Sequence, residues 1–436
     1  MTCGSWPQRN VDSSQRKRGF TLVELMVAVT GGLFVSVIVF AMARQGTRFY
    51  QQETRVAEAT LAATIGMQRL RADIGRAGYM STPYIGSTPA SSDPNLCMDY
   101  SLAANNSASA GPITLLRDMR SLQFAEDTAI EGNSDIGAAS IKPDKIQLSG
   151  AYQSADRYIA GVLQTNGGFL DVPLQPNIGA MGRYRYLFLS AAAQQSLLDS
   201  LFQPGRLLRL VNEYGRIAYG LISTALRNGD VTASLPTIKL QALPAIPLQG
   251  GASTVCTFSG VGVEVNVVNF YQYRIADLRN DACTTGGRLG QLYSSTANPA
   301  DANRTELVRE ELNPVGGAPF ANTCPEIVAE YAVDLKFEVT ATTATTPPSL
   351  LSTGPNTTDK VSDYHIAPLG KDLRPQRIRS VHARLSVRSR EADRTANVPS
   401  AMTGLYRIGV GTDHKTFARV RTLQADIAVP NHFGVN

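Results

Sequence analysis

The chain has 436 residues, of which 43% are hydrophobic and 18% are charged, and its formal net charge is +5 at pH 7. Gly and Pro together contribute 60 residues, which is close to average usage. This composition excludes a wholly disordered, a collagen-like and a multi-spanning membrane protein. The length allows two or three domains, or one large β-rich domain.

The positive charge is concentrated at the N-terminus. Four cations stand there against one acid: Arg9, Arg16, Lys17 and Arg18 against Asp12. The rest of the chain has 37 basic and 35 acidic residues, a net charge of +2. That excess is too small for the basic surface that nucleic-acid binding requires, so we expect no nucleic-acid partner.

An apolar stretch follows these cations. Residues 20–43 contain a single charge, Glu24, in 24 positions. As a helix they would extend roughly 36 Å, which is enough to cross a bilayer. The preceding cations keep the N-terminus in the cytoplasm, so the chain after Ala43 is predicted to be exported. A secretory signal has a shorter apolar core, and a plain signal anchor leaves the costly carboxylate of Glu24 unexplained.

The junction between the cations and the apolar stretch carries a specific motif. Residues 16–25, RKRGFTLVEL, resemble the class III signal of type IV prepilins and type II secretion pseudopilins. The resemblance implies that a prepilin peptidase removes residues 1–19 by cutting after Gly19 and N-methylates Phe20. It also implies that Glu24 pairs with the N-terminal amine of a neighbouring subunit. We interpret Glu24 as a register device, because a buried carboxylate and ammonium recover their desolvation cost only where they meet.

A second helical stretch begins the exported region. From Phe49 to Ala77 apolar residues recur at intervals of three, four or seven and form one stripe. Gly78 can cap the end of this helix. The sequence therefore predicts one helix over residues 20–78, of which residues 20–43 cross the membrane. We expect the C-terminal half of the stripe to pack on the protein's own β-domain.

The remaining exported region, residues 79–436, reads as an antiparallel β-rich domain. Alternating apolar residues predict strands at Tyr331–Val339, Val261–Val267 and Val381–Val387. The Thr/Pro/Ser-rich stretch 340–358 is predicted to be a flexible loop. The expected fold class is α+β and type IV pilin-like, with a long N-terminal helix packed on this large domain.

Later stretches narrow the resemblance. Residues 69–79 resemble the helix end shared by PilW-type minor pilins and the related J-type pseudopilins. Residues 267–274, 305–312 and 330–337, followed by the Arg-flanked strand at 378–390, strengthen the resemblance to the PilW type. J-type pseudopilins are typically much shorter, which favours the PilW type. Residues 113–255 resemble neither.

The cysteines predict an oxidising compartment. Apart from Cys3, four remain, Cys97, Cys256, Cys283 and Cys324, and an even number in an exported region favours two disulfides over buried free thiols. Cys256 and Cys283 flank a predicted strand. That favours a Cys256–Cys283 pair, which leaves Cys97 with Cys324. No two cysteines have the C-x-x-C spacing of a metal site, so the sequence predicts none.

No catalytic pattern emerges. The chain has four histidines, none of them four positions from another: His365, His382, His414 and His432. It contains no Walker loop, G-x-S-x-G or dinucleotide motif. Glu310 and Glu311 would point to opposite faces of a strand and are expected to be solvated. We therefore expect no enzymatic activity, no metal and no cofactor.

The resemblance implies a function. PilW-type minor pilins act with other minor pilins and the major pilin to prime type IV pilus assembly, sit at or near the tip, and can help to display a tip adhesin in adhesion and twitching motility. The expected location is the inner membrane with the C-terminal domain in the periplasm, and then the pilus at the cell surface. Two alternatives remain open: a J-type pseudopilin of a type II secretion system, and a membrane-anchored exported binding protein or enzyme.

Overall fold

The computed structural model describes most of the chain from residue 20 onwards. The described residues are 20–85, 95–97, 113–117, 119–126, 142–227, 235–242, 244–248, 255–258, 262–278, 304–321, 323–342, 350–352, 375–391, 394–395, 407–410 and 416–432. They form two compact units, one up to Arg55 and one from Val56 onwards, and the helix α1 (Leu22–Gly75) contributes to both.

The first unit is the N-terminal part of α1. This helix is long and apolar enough to cross a membrane, and its apolar side chains up to Tyr50 are exposed. The few hydroxyl side chains bond to carbonyls of their own helix, for example Thr30 Oγ1 to Met26 O at 2.8 Å and Ser36 Oγ to Gly32 O at 2.8 Å. The polar groups are thus satisfied within the helix, as a hydrocarbon environment requires.

The larger sheet of the second unit has eleven strands in the described part of the chain. These strands are β1 (Leu122–Ala125), β2 (Lys145–Gly150), β3 (Tyr158–Ile159), β4 (Gln164–Asn166), β5 (Phe169–Pro173), β6 (Leu207–Val211), β7 (Ile217–Leu226), β8 (Thr237–Gln241), β9 (Glu264–Ala276), β10 (Glu306–Leu312) and β11 (Glu326–Ala329). Their order is β1-β2-β9-β6-β7-β8-β5-β4, with β3 and β10 also paired to β9 and β11 paired to β10.

The long strand β9 joins two halves of this sheet. Its first residues pair with β3 and β6, and its later residues pair with β2 and β10, all antiparallel. Of the valines predicted as one strand face, Val265 and Val267 are buried in β9, Val263 is buried directly before it, and Val261 lies outside the described residues. Residues 113–255 resembled neither PilW-type nor J-type proteins. Most of their strands belong to the half of the sheet that pairs with the first residues of β9.

The second sheet of this unit has six strands in the described part. They are β12 (Ala332–Thr342), β13 (Leu350–Ser352), β14 (Ile378–Arg388), β15 (Arg394–Thr395), β16 (Arg407–Val410) and β17 (Thr416–Ala428). β12, β14 and β17 form its centre, and β12 and β14 contain the predicted alternating runs. The predicted loop 340–358 is wrong at its described positions, because residues 340–342 belong to β12 and Leu350–Ser352 pair with them.

The part of α1 from Val56 onwards lies in a core shared with both sheets. Its buried residues are Ala59, Ala63, Gly66, Met67, Leu70, Asp73 and Ile74. The cluster around them includes Tyr273 of the first sheet and Leu385 of the second. The apolar stripe therefore packs on the β-rich domain from Ala59 onwards, whereas Phe49, which the stripe included, is 64% exposed in the first unit.

Short helices cover a second core formed by the middle of the chain. After α2 (Thr114–Arg117), whose Leu116 is buried in a different cluster, these are α3 (Gly179–Arg183), the 3₁₀ turn Tyr186–Phe188 and α4 (Ala191–Leu201). Ser190 caps α4 by accepting a hydrogen bond from Ala193 N, and Leu198 is fully buried beneath it. The architecture as a whole agrees with the predicted α+β class.

Candidate functional site: the two ends of the long helix

The first turn of α1 is closed by a reciprocal pair of side chains. Thr21 N and Thr21 Oγ1 donate to Glu24 Oε2 at 3.0 and 3.1 Å, and Glu24 N donates to Thr21 Oγ1 at 3.2 Å. This is a capping box, in which a Thr at the cap and a Glu three residues later satisfy each other's backbone N–H groups. It explains why the helix begins at Leu22.

The capping box leaves half of the Glu24 carboxylate open. Both bonds from Thr21 go to Oε2, and Oε1 accepts no hydrogen bond from the described residues. A carboxylate has about four acceptor sites. The side chain is fully exposed in the isolated chain. Oε1 can therefore accept hydrogen bonds from a cation outside this helix. Phe20 is 80% exposed beside it, and Gly19 lies outside the described residues.

The N-terminal segment also matches a known family model. Residues 14–30 match the Prokaryotic N-terminal methylation motif. The motif indicates a type IV pilin-like or pseudopilin protein. It confirms the class III prepilin signal predicted from residues 16–25, and it implies processing by a prepilin peptidase and assembly with other pilins. No curated protein and no solved structure matches the chain.

At the other end of the helix, a buried carboxylate anchors this pilin-like chain to its first sheet. Asp73 is 4% exposed, and its Oδ2 accepts hydrogen bonds from Tyr273 Oη at 2.6 Å and Arg309 Nε at 2.7 Å. Its backbone carbonyl accepts a bond from Tyr152 Oη at 3.2 Å. Burial, followed by the charge of Asp73, raises the pKa of Tyr273 well above its ordinary value. Tyr273 therefore stays a neutral donor.

The arginine in this anchor is held from several sides. Arg309 Nη1 donates to Glu326 at 2.9 Å, and its guanidinium lies 3.5 Å from the ring centroid of Tyr271. Burial acts to lower the pKa of Arg309, but Asp73, together with Tyr271, Tyr273 and Glu326, outweighs burial and raises the pKa. The network ties α1 to β9, β10 and β11 with directional bonds, and such bonds fix the position of a helix more sharply than apolar contact does.

Another contact closes the last turn of α1. Asn431 Nδ2 donates to Gly75 O at 3.3 Å and Ala77 O at 3.1 Å, so it satisfies carbonyls that a helix end leaves open. His432 lies beside it with no exposed surface. Its Nε2 is 2.6 Å from Ser121 Oγ and its Nδ1 is 3.2 Å from Ile378 O. Since Ser121 is also fully buried, no substrate can reach this pair and its role is structural.

Sequence reasoning missed the roles of two groups at these helix ends. The Thr21-x-x-Glu24 spacing before an apolar run is a recognisable capping-box signal. Asp73 gave no such signal, because its partners lie 200 and 236 residues away in the chain.

The prediction that Glu310 and Glu311 are solvated is wrong. Arg274 Nε lies 2.8 Å from Glu310 Oε2, and Arg206 Nε lies 2.7 Å from Glu311 Oε1. All four side chains are largely buried. Arg274 on β9 and Arg206, directly before β6, neutralise acids that point to opposite faces of β10.

The predicted disulfide pairing is also wrong. Cys97 is bonded to Cys256, with Cα atoms 5.4 Å apart. Backbone pairing of residues 95–97 with Ile217 and the two bonds from Asn212 to Val255 O and Thr257 O bring these segments together. Cys324 is disulfide-bonded as well. Cys283 lies outside the described residues.

The histidines form no common site in the described part of the chain. His382 Nδ1 lies 2.8 Å from Asp426 on the second sheet, and His432 is the buried residue described above. His365 and His414 lie outside the described residues. Among the described residues, no three His, Cys, Asp or Glu side chains are grouped so that they could hold a metal ion.

Proposed function

We propose that this chain is a minor pilin of the PilW type, which helps to prime type IV pilus assembly and sits at or near the tip. The observation that carries the proposal is the open oxygen of Glu24, held in the first turn of an apolar helix that begins just after a prepilin motif. After cleavage behind Gly19, the new amine of Phe20 would be the cation that Glu24 accepts from a neighbouring subunit.

The rest of the molecule supports a structural role. The β-rich domain is held to the C-terminal end of the helix by Asp73 and Asn431. In this role the domain contacts other minor pilins, the major pilin and a tip adhesin, in adhesion and twitching motility. We propose no catalytic activity. The protein would reside in the inner membrane, with its domain in the periplasm, before entering the pilus.

The first experiment is the intact mass and N-terminal peptide map of the protein from its native host. The proposal expects a chain that begins at N-methylated Phe20. A chain that retains residues 1–19 would overturn the proposal and favour a membrane-anchored exported binding protein, in which Glu24 has no assembly role.

A gene deletion then separates pilus from secretion system. A minor pilin predicts loss of surface pili and of twitching with normal secretion of exported proteins. A J-type pseudopilin predicts loss of secretion with pili intact. Complementation with the full chain is the control for both readouts.

A further inference from the structure

An exposed apolar surface lies on the segment between β5 and α4. Four large side chains, Ile178, Tyr184, Leu187 and Phe188, are each more than a third exposed, and Phe188 is 87% exposed. We call these four residues the Phe188 surface. The same segment sends Ala180, Met181 and Tyr186 into the second core, where all three are buried. The segment is therefore folded, and its exposed positions include four large side chains with apolar surface in contact with water.

The segment is held in a fixed conformation. Ala180 N donates to Arg157 O at 3.3 Å, Phe188 N to Arg185 O at 2.8 Å, and Gln194 Nε2 to Tyr186 O at 3.0 Å. Arg185 has a φ of +50°, in the left-handed region that non-glycine residues rarely adopt. A surface that is rigid before binding loses little conformational entropy when it docks. Strained backbone of this kind concentrates at functional positions.

The charges beside this surface are uneven. Residues 175–198 contain two arginines and no acid. Arg183 is neutralised by Asp156, which also accepts hydrogen bonds from Tyr184 and Ser154. Arg185 is exposed and has no carboxylate partner among the described residues. The surface thus combines an apolar centre with one un-neutralised guanidinium at its side.

We propose that the Phe188 surface docks a protein partner whose contact face is apolar and carries a carboxylate opposite Arg185. Aromatic residues and arginine are the side chains most enriched at the energetic centres of protein interfaces. An exposed apolar patch on an ordered domain marks such a site. Proteins bind anionic membranes through clusters of several basic residues, because each one contributes only weakly, so a single un-neutralised arginine favours a protein over a lipid surface.

The proposal is independent of the pilus assignment and can be tested in the native host with the full chain. The photo-reactive residue p-benzoylphenylalanine replaces Phe188. The matched control is the same replacement at Tyr214, an aromatic residue that is 56% exposed on the turn between β6 and β7. The expected result is an adduct with a different protein at position 188 only, whose cross-linked peptide contains a carboxylate among apolar residues.

Charge variants decide whether the adduct reflects this surface. Arg185→Glu should lower the yield of the adduct about tenfold, since like charges that face each other across an interface weaken binding by at least this factor. The neutral Arg185→Asn, which tolerates a left-handed backbone, should lower it less, and Arg421→Glu on the exposed face of β17 should leave it unchanged. Replacing the partner's carboxylate by lysine should restore the adduct with Arg185→Glu.

Three results would overturn the proposal. An adduct between two copies of this chain would make the surface a self-association face, and an adduct with phospholipid would make it a membrane contact. A yield at position 188 no higher than at 214 would mean that nothing docks there. Formation of the Cys97–Cys256 disulfide in each variant, checked by peptide mapping, shows that the domain has folded.

Discussion

Asp73 Oδ2 lies 2.7 Å from Arg309 Nε, and this buried ion pair joins the long helix to β10. The two side chains are 5% and 10% exposed. Both charges are removed from water. Removing either side chain would leave the other charge buried without its partner, which destabilises the fold. The pair therefore adds a contact between distant parts of the chain to the apolar packing that holds the helix on the domain.

Asp73→Ala should lower the free energy of unfolding by about 3–5 kcal/mol, because it leaves the Arg309 guanidinium buried without its main partner. Denaturant unfolding of the full chain in detergent measures the change. Arg69→Ala is the matched control. Arg69 lies 3.5 Å from Glu326 with both side chains largely exposed, so its loss should cost less than about 1 kcal/mol. Equal losses in the two variants would contradict the buried role of Asp73.

Gly66→Ala should destabilise the packing of α1, although alanine favours helices. A Cβ at this position would lie 2.8 Å from Ala329 Cβ and 3.0 Å from Leu385 Cδ2. Overpacking of this kind costs about 1–3 kcal/mol, against a gain of about 1 kcal/mol in helix propensity. Ala329→Gly in the same chain should recover most of the loss.

Gly75→Ala serves as the control, because a Cβ there approaches nothing closer than Ala428 O at 4.0 Å. With no clash to oppose the gain in helix propensity, it should raise the free energy of unfolding by up to about 1 kcal/mol. A Gly66→Ala chain as stable as the parent would show that β11 and β14 can move away from the helix without cost.

His432 should make stability depend on pH. Burial lowers the pKa of His432 to about 4, against 6.5 in the unfolded chain, and the Arg379 charge acts in the same direction. Between pH 4 and pH 6.5 the His432 imidazole binds a proton in the unfolded chain but not in the folded chain. The stability that the neutral imidazole contributes is therefore complete above pH 6.5 and is lost as the pH falls towards 4. Between pH 7 and pH 5 the parent should lose about 2 kcal/mol through this residue.

The measurement compares His432→Gln, which keeps a polar group towards Ser121, with His382→Gln on the second sheet. His432→Gln should have lower stability at pH 7 but a smaller further loss at pH 5 than the parent, whereas His382→Gln should follow the parent curve. Parallel curves for all three chains would mean that His432 does not remain neutral in the fold.

The regular spacing of apolar residues in the sequence predicted the helix and strands in which buried positions recur at that spacing. The alternation at Tyr331–Val339 predicted β12, and the apolar stripe predicted the packed half of α1. The buried ion pairs could not be found in this way. Acids such as Glu310 and Glu311 look solvated in sequence, and only the fold brings Arg274 and Arg206 to them.

The disulfide shows the same limit. Cys256 and Cys283 are close in sequence, but Cys97 reaches Cys256 across a separation of 159 residues because residues 95–97 pair with Ile217. A non-reducing peptide map should contain the Cys97–Cys256 linkage. Cys97→Ser with Cys256→Ser should cost about 2–5 kcal/mol. A Cys97–Cys324 linkage in the map would contradict the structure.

The last prediction separates the two roles that Glu24 can have. Gln can replace Glu in a capping box, because its side-chain oxygen accepts the same backbone hydrogen bond. Gln has no negative charge to pair with an ammonium group. If the charge of Glu24 sets the register between subunits, Glu24→Gln and Glu24→Ala should impair assembly alike, while Thr21→Val, which removes the cap and keeps the charge, should assemble nearly normally.

Surface piliation or pseudopilus formation, compared at equal amounts of processed protein, is the readout. The circular-dichroism spectrum and thermal unfolding of the β-rich domain should be unchanged in all three variants, since among the described residues the side chains of Thr21 and Glu24 form hydrogen bonds only within this pair of residues. Assembly that survives in Glu24→Gln but fails in Thr21→Val would reverse the assignment. The carboxylate would then act by starting the helix at Leu22, and the register of the fibre would have to come from the apolar packing of α1 alone.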